Sequence, residues 1–191
     1  MTRWPRPAPH GRASPSPLTW CHAILAANGH NTQPWRFRLA ENQIDILLDF
    51  SRRTPVVDPD DHHVFASLGC AAANLALAAD AAGRPAQIVF VPSGDGSVSV
   101  QLGAGPPALT PLFRAIPLRQ STRSLYDGRT ANPADLAILA TAAKVPGVDT
   151  FLVTDRVQMD RIRDLIIAGN TVQMADAADQ VAVERTTVSD A

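Results

Sequence analysis

A short polar loop is the first segment whose residue types suit a binding site. Residues 27–35 read Ala-Asn-Gly-His-Asn-Thr-Gln-Pro-Trp, so amide, hydroxyl and imidazole groups follow one another directly before an expected strand. Such groups can hydrogen-bond along the polar edge of a planar heterocycle, and Gly29 lets backbone amides approach it closely. The same composition also suits a turn whose Asn and Thr side chains bond their own backbone. The candidate binding positions are Asn28, Gly29, His30, Asn31 and Gln33.

A second candidate segment is the basic pentapeptide at 119–123, which reads Arg-Gln-Ser-Thr-Arg. On one helical turn, Arg119 and Arg123, at i and i+4, would lie on one face, with the hydroxyl of Ser121 between them in the sequence. That arrangement could bind a phosphate through charge-assisted hydrogen bonds, or place a cation beside a developing anion. A solvated basic turn is the alternative.

Alternating apolar residues predict the elements that carry the first loop. The segments 34–40 and 44–50 show a period of two residues, which predicts a hairpin that turns at Glu41-Asn42. The segments 87–91 and 98–102 predict a second hairpin, joined by Ser93-Gly94-Asp95-Gly96.

The segment between the hairpins predicts a long helix. Asp58 is the expected N-cap, with Pro59 at the first helical position, and the helix should run to Gly83. Because its interior is almost entirely small or apolar, we expect it to be buried on most sides, with Cys70 as an inert buried thiol.

The rest of the chain is predicted to be mostly helical. Asn132 and Asp155 are expected to cap two helices, and 150–153 reads as a strand between them. Residues 1–18 contain five prolines and are expected to form a mobile extension. The predicted fold class is therefore α+β.

Composition and charge exclude several classes of function. A formal net charge of -1 gives no electrostatic reason to expect a nucleic acid or an anionic membrane as partner. The chain has no run of about 18 apolar residues, so we expect a cytoplasmic protein. We expect no metal site, because the adjacent His62 and His63 would point about 100° apart on a helix and could not easily share one ion.

Three segments together resemble the flavin-binding nitroreductase family. They are the loop and strand start at 29–37, the segment 53–60 (Arg-Thr-Pro-Val-Val-Asp-Pro-Asp), and the segment 67–75 (Ser-Leu-Gly-Cys-Ala-Ala-Ala-Asn-Leu). Within the family the match is best to the mycobacterial and actinobacterial Acg-like branch. The pentapeptide 119–123, with Tyr-Asp-Gly-Arg at 126–129 behind it, resembles the family's R-x-S-x-R element.

The resemblance implies that FMN is the cofactor and carries the chemistry, so no catalytic side chain is predicted. Arg119 and Ser121 would contact the phosphate and ribityl side of FMN, and Arg123 would lie near the N1 and C2 carbonyl edge. The candidate positions of the first loop would line the opposite side of the cofactor. NAD(P)H would reduce the flavin, which would pass electrons to a nitroaromatic, a quinone or a similar planar small molecule.

The order of the motifs implies a fused architecture. An ordinary nitroreductase subunit has R-x-S-x-R before N-x-Q-P-W and holds FMN at a dimer interface, whereas here the order is reversed. In Acg-like proteins two nitroreductase-like halves are fused, and one flavin site survives between them. We therefore expect an extension at 1–18, a first half at 19–110 and a second half at 111–191 that looks incomplete. A homo-oligomer, most simply a dimer, would cover the surfaces left over.

Three functions remain open from the sequence. The first is an FMN-dependent NAD(P)H oxidoreductase of the nitroreductase family. The second is a flavin-binding or flavin-sequestering protein without turnover. The third is a folded half without a cofactor that acts by self-association, with the Ala-rich helix as its support.

Overall fold

The computed structural model describes residues 21–122 and 124–175. The chain divides into two compact units, Met1–Gln120 and Ser121–Ala191. The predicted extension at 1–18, Arg123 and the residues after 175 lie outside the described ranges.

The first unit is built on a four-stranded antiparallel sheet with the strand order β1-β2-β4-β3. Strand β1 is Trp35–Ala40, β2 is Gln43–Leu48, β3 is Ala86–Val91 and β4 is Ser97–Leu102. Each predicted hairpin is confirmed, because β1 pairs with β2 and β3 pairs with β4 in antiparallel register. The two hairpins join through β2 and β4 at the centre of the sheet.

Helix α1 (His62–Ala81) packs on one face of this sheet. Its buried residues follow the helical spacing of an amphipathic face, and they meet apolar side chains from the central strands. The residues at the centre of this core are fully buried: Ile44, Ile46, Leu68, Ala71, Ala72, Leu75 and Val100.

The prediction that α1 is buried on most sides was wrong. Gly69, Cys70 and Ala73 are exposed, because within the described ranges the sheet covers a single face of the helix. The helix has the length and hydropathy of a membrane-spanning segment. Packing against the sheet accounts for its larger apolar residues without a membrane.

The predicted start of α1 was also wrong, although its key residue was identified. The helix begins at His62, and its N-cap is Asp61, which has a left-handed φ of 60°. Asp58 is 2% exposed, and its carboxylate accepts hydrogen bonds from the backbone N–H groups of His63 and Val64, both at 3.0 Å. Burial alone would raise the pKa of this carboxyl, but the two amide hydrogen bonds and the His63 side chain, whose Nδ1 lies 3.1 Å from Asp58 Oδ1, together outweigh burial and hold the pKa below its usual value. Asp58 therefore satisfies first-turn donors from outside the helix.

The first unit ends with the short helix α2 (Pro111–Ala115), followed by a 3-10 turn at Ile116–Leu118. The side chain of Thr110 caps α2 by accepting a hydrogen bond from the N–H of Phe113 at 3.2 Å. The ring of Phe113 lies 5.0 Å from the ring of His22, so α2 packs near the start of the described chain.

The second unit contains helices α3 (Pro133–Ala142) and α4 (Arg156–Met174). Both predicted caps are confirmed, because the Asn132 and Asp155 side chains each accept a backbone hydrogen bond at 2.9 Å. The strand predicted at 150–153 was wrong, since those residues have no regular secondary structure. Among residues 121–122 and 124–175 none is buried. The antiparallel sheet and separate helices agree with the predicted α+β class.

We predict that Asp58→Ala lowers the free energy of unfolding by about 2–3 kcal/mol, because two amides lose their acceptor at a buried position. Urea denaturation followed by circular dichroism measures this loss. Asp60→Ala is the matched control, since Asp60 is exposed and, among the residues that the structure describes, accepts a single 3.3 Å hydrogen bond, from the N–H of His62.

The same pair gives a pH dependence. The depressed pKa of Asp58 means that its contribution is complete above about pH 4 and is lost as the pH falls through the native pKa. The difference in stability between the wild type and Asp58→Ala should therefore shrink on acidification. Equal losses in Asp58→Ala and Asp60→Ala at neutral pH would contradict the capping role.

Candidate functional site

The polar loop at 28–33 has an unusual backbone. It lies between a 3-10 turn at Ala23–Leu25 and strand β1. Three of its non-glycine residues have positive φ angles, namely His30 (50°), Asn31 (54°) and Gln33 (49°). A left-handed conformation costs an L-residue about 1–2 kcal/mol, so it persists only where the surroundings impose it. Backbone strain of this kind concentrates at functional sites, which makes the loop a candidate.

The side chain of Asn28 closes the loop. Its Nδ2 donates to the carbonyl of Ala26 at 3.1 Å, and its Oδ1 accepts from the backbone N–H of Gln33 at 2.9 Å. Thr32 Oγ1 donates to the carbonyl of Gly29 at 3.2 Å. These are the turn-type bonds that the sequence allowed as an alternative, and they fix the strained backbone.

The same bonds leave the tip of the loop available to a ligand. The side chains of His30 and Asn31 are exposed. Donors and acceptors are therefore presented together at one surface, as recognition of a polar heterocycle requires.

Helix α1 contacts the loop through the side chain of Ser67. The N–H of Gly29 donates to Ser67 Oγ at 3.2 Å, and that hydroxyl donates to the carbonyl of His63 at 2.6 Å. Packing does not require a glycine at this position, because an added Cβ would lie 3.8 Å from the Cβ of His63, an ordinary contact. Because packing does not explain the glycine, we interpret the space beside Gly29 as room for a ligand.

The structure brings Arg119 to the same place. Its Nη2 donates to the carbonyl of Leu25 at 3.3 Å, and Gln33 Nε2 lies 3.5 Å from the preceding carbonyl, that of Ile24. Side chains from two motifs that are distant in sequence thus reach consecutive carbonyls of one 3-10 turn.

The expected helical turn at 119–123 was wrong. Arg119 has extended backbone angles (φ −64°, ψ 130°), and residues 120–122 have no regular secondary structure. Arg119 and Ser121 therefore do not lie on a helix. Ser121 is exposed and belongs to the second unit, and Arg123 lies outside the described residues.

Two contacts of the loop were missed from the sequence. Arg52 Nη1 donates a hydrogen bond to the carbonyl of Thr32 at 3.0 Å, and Ser67 Oγ accepts one from the N–H of Gly29. Both are long-range contacts to backbone atoms, so neither residue type nor spacing indicates them. The polar character of Ser67 within an apolar helix was the only signal.

Arginines and aspartates near the loop form structural pairs. Arg36 donates to Asp49 at 2.9 Å, and Arg53 donates to Asp61 at 2.6 Å. The hydrogen bond from Arg36, joined by those from Ser51, lowers the pKa of Asp49 well below its usual value. Because each of these guanidinium groups is already paired with a carboxylate, we do not assign Arg36 or Arg53 to an anion-binding site.

Comparison with known proteins places this site in context. No protein-family model matches the chain. Two curated relatives, from two strains of Mycobacterium tuberculosis, each carry the provisional name NAD(P)H nitroreductase. Each is 26% identical to this chain over 149 residues, which is 75% of this chain and 42% of the relative. The chain thus spans about two fifths of the length of the curated relatives it matches.

We predict that Gly29→Ala leaves the free energy of unfolding unchanged, or raises it by up to about 1 kcal/mol, because alanine restricts the unfolded chain. Gly83→Ala is the control. Gly83 has a φ of 75°, and an added Cβ would lie 2.8 Å from the carbonyl oxygen of Gly105, so this variant should lose stability. Urea denaturation of both variants checks the contrast, and equal losses would show that Gly29 is a structural glycine.

Proposed function

We propose that the loop at 28–33 and Arg119 bind FMN, and that the protein is an FMN-dependent NAD(P)H oxidoreductase. Its acceptors would be nitroaromatics, quinones or similar planar molecules. The observation that carries the proposal is the meeting of Gln33 and Arg119 at the Ala23–Leu25 turn. The distant similarity to proteins named as NAD(P)H nitroreductases supports a nitroreductase-like oxidoreductase.

The residues present fit this cofactor. A flavin ring offers acceptors and one N–H donor along its polar edge, and FMN adds an anionic phosphate. The loop tip offers the exposed imidazole of His30 and the exposed carboxamide of Asn31, and Gly29 has no side chain to keep a ring away. Arg119 adds a guanidinium, the side chain best suited to a phosphate. The set contains both chemistries that FMN requires.

The proposed roles follow from the contacts. Asn28 holds the loop in its strained form, and Gly29, His30, Asn31 and Gln33 line the flavin. Arg119 supplies positive charge toward the phosphate side. Ser121 and Arg123 stay predictions of the family resemblance.

When bound, FMN supplies hydride and electron transfer between NAD(P)H and the acceptor. The side chains of this site position the ring and stabilise negative charge, and none of them needs to act as a nucleophile. On the reversed order of the motifs, we also propose that 19–110 and 111–191 are two nitroreductase-like halves.

The test is reconstitution of the full chain with FMN. Absorption near the flavin bands and quenching of flavin fluorescence measure binding, and anaerobic addition of NADPH or NADH then measures reduction. We expect a yellow complex that NAD(P)H bleaches. A yellow complex that is not bleached would favour a flavin-binding protein without turnover, and a chain that takes up no FMN would overturn the proposal.

We predict that Arg119→Ala loses FMN on gel filtration and binds it about 10–100-fold more weakly, because a charge-assisted hydrogen bond contributes about 1.5–3 kcal/mol. Fluorescence titration measures the affinity. Arg114→Ala is the control, since this exposed arginine lies in the neighbouring helix α2. Unchanged affinity in Arg119→Ala would remove this residue from the site.

We further predict that Gly29→Ala weakens FMN binding about tenfold or more while its unfolding midpoint stays at or above that of the wild type, because the added methyl group occupies space meant for the ring. The same fluorescence titration applies. Wild-type affinity in this variant would show that the ring does not approach Gly29.

A further inference from the structure

The two edges of the sheet differ in their protection against pairing. Edge strand β1 carries two charged side chains, Arg36 and Arg38, which form ion pairs with Asp49 and Asp45 at 2.9 Å. Edge strand β3 reads Ala-Gln-Ile-Val-Phe-Val and has no charge. Charged residues on an edge strand are a common means by which proteins prevent strand addition. Strand β3 lacks that protection.

Apolar side chains of β3 continue the core beyond the part of the sheet that helix α1 covers. Ile88 and Phe90 lie opposite Val100 and Val98, which are buried under α1, so they point to the helix side of the sheet. The ring of Phe90 packs edge-on against Phe65 of α1 at 6.1 Å. Even so, Ile88 is 47% exposed and Phe90 is 57% exposed. The apolar layer therefore reaches the sheet edge and ends there uncovered.

We propose that two copies of this chain pair through β3, antiparallel, with the two-fold axis at Val89. Pairing of this kind would join two four-stranded sheets into one of eight strands. It names the surface for the homodimer that the sequence predicts, and it does not depend on the flavin site.

The register follows from the alternation of side chains. A shift by one residue would bring helix-side residues opposite residues of the other face, so only alternate registers keep both helices on one side. Among these, an axis at Val89 places Ile88 opposite Phe90 twice. Aromatic and β-branched residues are a favourable cross-strand pair, so this register continues the apolar layer from one copy into the next.

A second copy is the occupant that this strand fits best. About Val89, the apolar Ile88 and Phe90 lie opposite each other, and Pro85 and Pro92 limit the paired segment to the strand itself. With the axis at Phe37, the centre of its alternating arginines, strand β1 would place Arg36 opposite Arg38 twice, and like charges directly opposite are destabilising. A six-residue strand pair is smaller than a standard interface of about 1,200–2,000 Å², so we expect weak, reversible association.

Sedimentation over a micromolar to near-millimolar range of protein concentration tests the proposal, with a lysine placed on each edge in turn. Ile88→Lys should abolish self-association. Leu39→Lys is the matched control, because Leu39 is 52% exposed on the other edge strand and lies opposite the core residue Ile44. Both sites tolerate a lysine because about half of each side chain is in solvent, and circular dichroism confirms folding.

We expect a concentration-dependent dimer for the wild type and for Leu39→Lys, and a monomer for Ile88→Lys. A wild type that is monomeric throughout would overturn the proposal. Equal loss of association in the two lysine variants would overturn it as well, because it would place the interface away from β3.

An engineered disulfide between two copies tests the register of the strand pair. In a background with Cys21→Ser and Cys70→Ser, which removes both exposed native thiols, Val89→Cys should oxidise to a covalent dimer. Residues directly opposite on antiparallel strands have the Cα separation that a disulfide requires. Val91→Cys is the control, because its two copies would lie about 14 Å apart along the strands. Equal oxidation at both positions would contradict the axis at Val89.

Discussion

The packing of α1 on one face of the four-stranded sheet is the constraint on which the rest of the first unit depends. Leu68, Ala71 and Leu75 seal the centre of the sheet, and full burial of each larger side chain contributes about 1.5–3 kcal/mol. The helix is thereby fixed in rotation, which places Ser67 under the loop and directs the first turn toward Asp58. The interface between α1 and the sheet thus positions both Ser67, which contacts the loop, and the first turn of the helix, which Asp58 caps.

The loop at 28–33 depends on that support because its own backbone is unfavourable. Three non-glycine residues in the left-handed region would relax in a free peptide. The Asn28 carboxamide and the Ser67 hydroxyl hydrogen-bond to backbone N–H groups of the loop, and Arg52 donates to the carbonyl of Thr32. Together these contacts hold the loop in its observed conformation. The result is a rigid group of donors and acceptors, and rigidity reduces the entropy lost when a planar ligand binds.

Sequence reasoning succeeded where the signal was local. The two hairpins and the caps at Asn132 and Asp155 each depend on a few neighbouring residues, and the structure confirms them. It failed at α1, because alanine, glycine and cysteine side chains are compatible with either burial or exposure. It also failed for the start of that helix, because the positive φ of Asp61 leaves Asp58 outside it. Nothing in the spacing of residues showed that Arg119 reaches the carbonyl of Leu25, which is a long-range contact.

The central claim is that two motifs distant in sequence form one flavin-binding surface at the Ala23–Leu25 turn. A double-mutant cycle on FMN affinity, with Gln33→Ala, Arg119→Ala and both together, tests it most directly. Residues that act on one shared structure are non-additive, typically by about 0.5–3 kcal/mol. We predict that the double variant loses clearly less affinity than the sum of the single losses. Strict additivity, or no effect of Gln33→Ala, would contradict the claim.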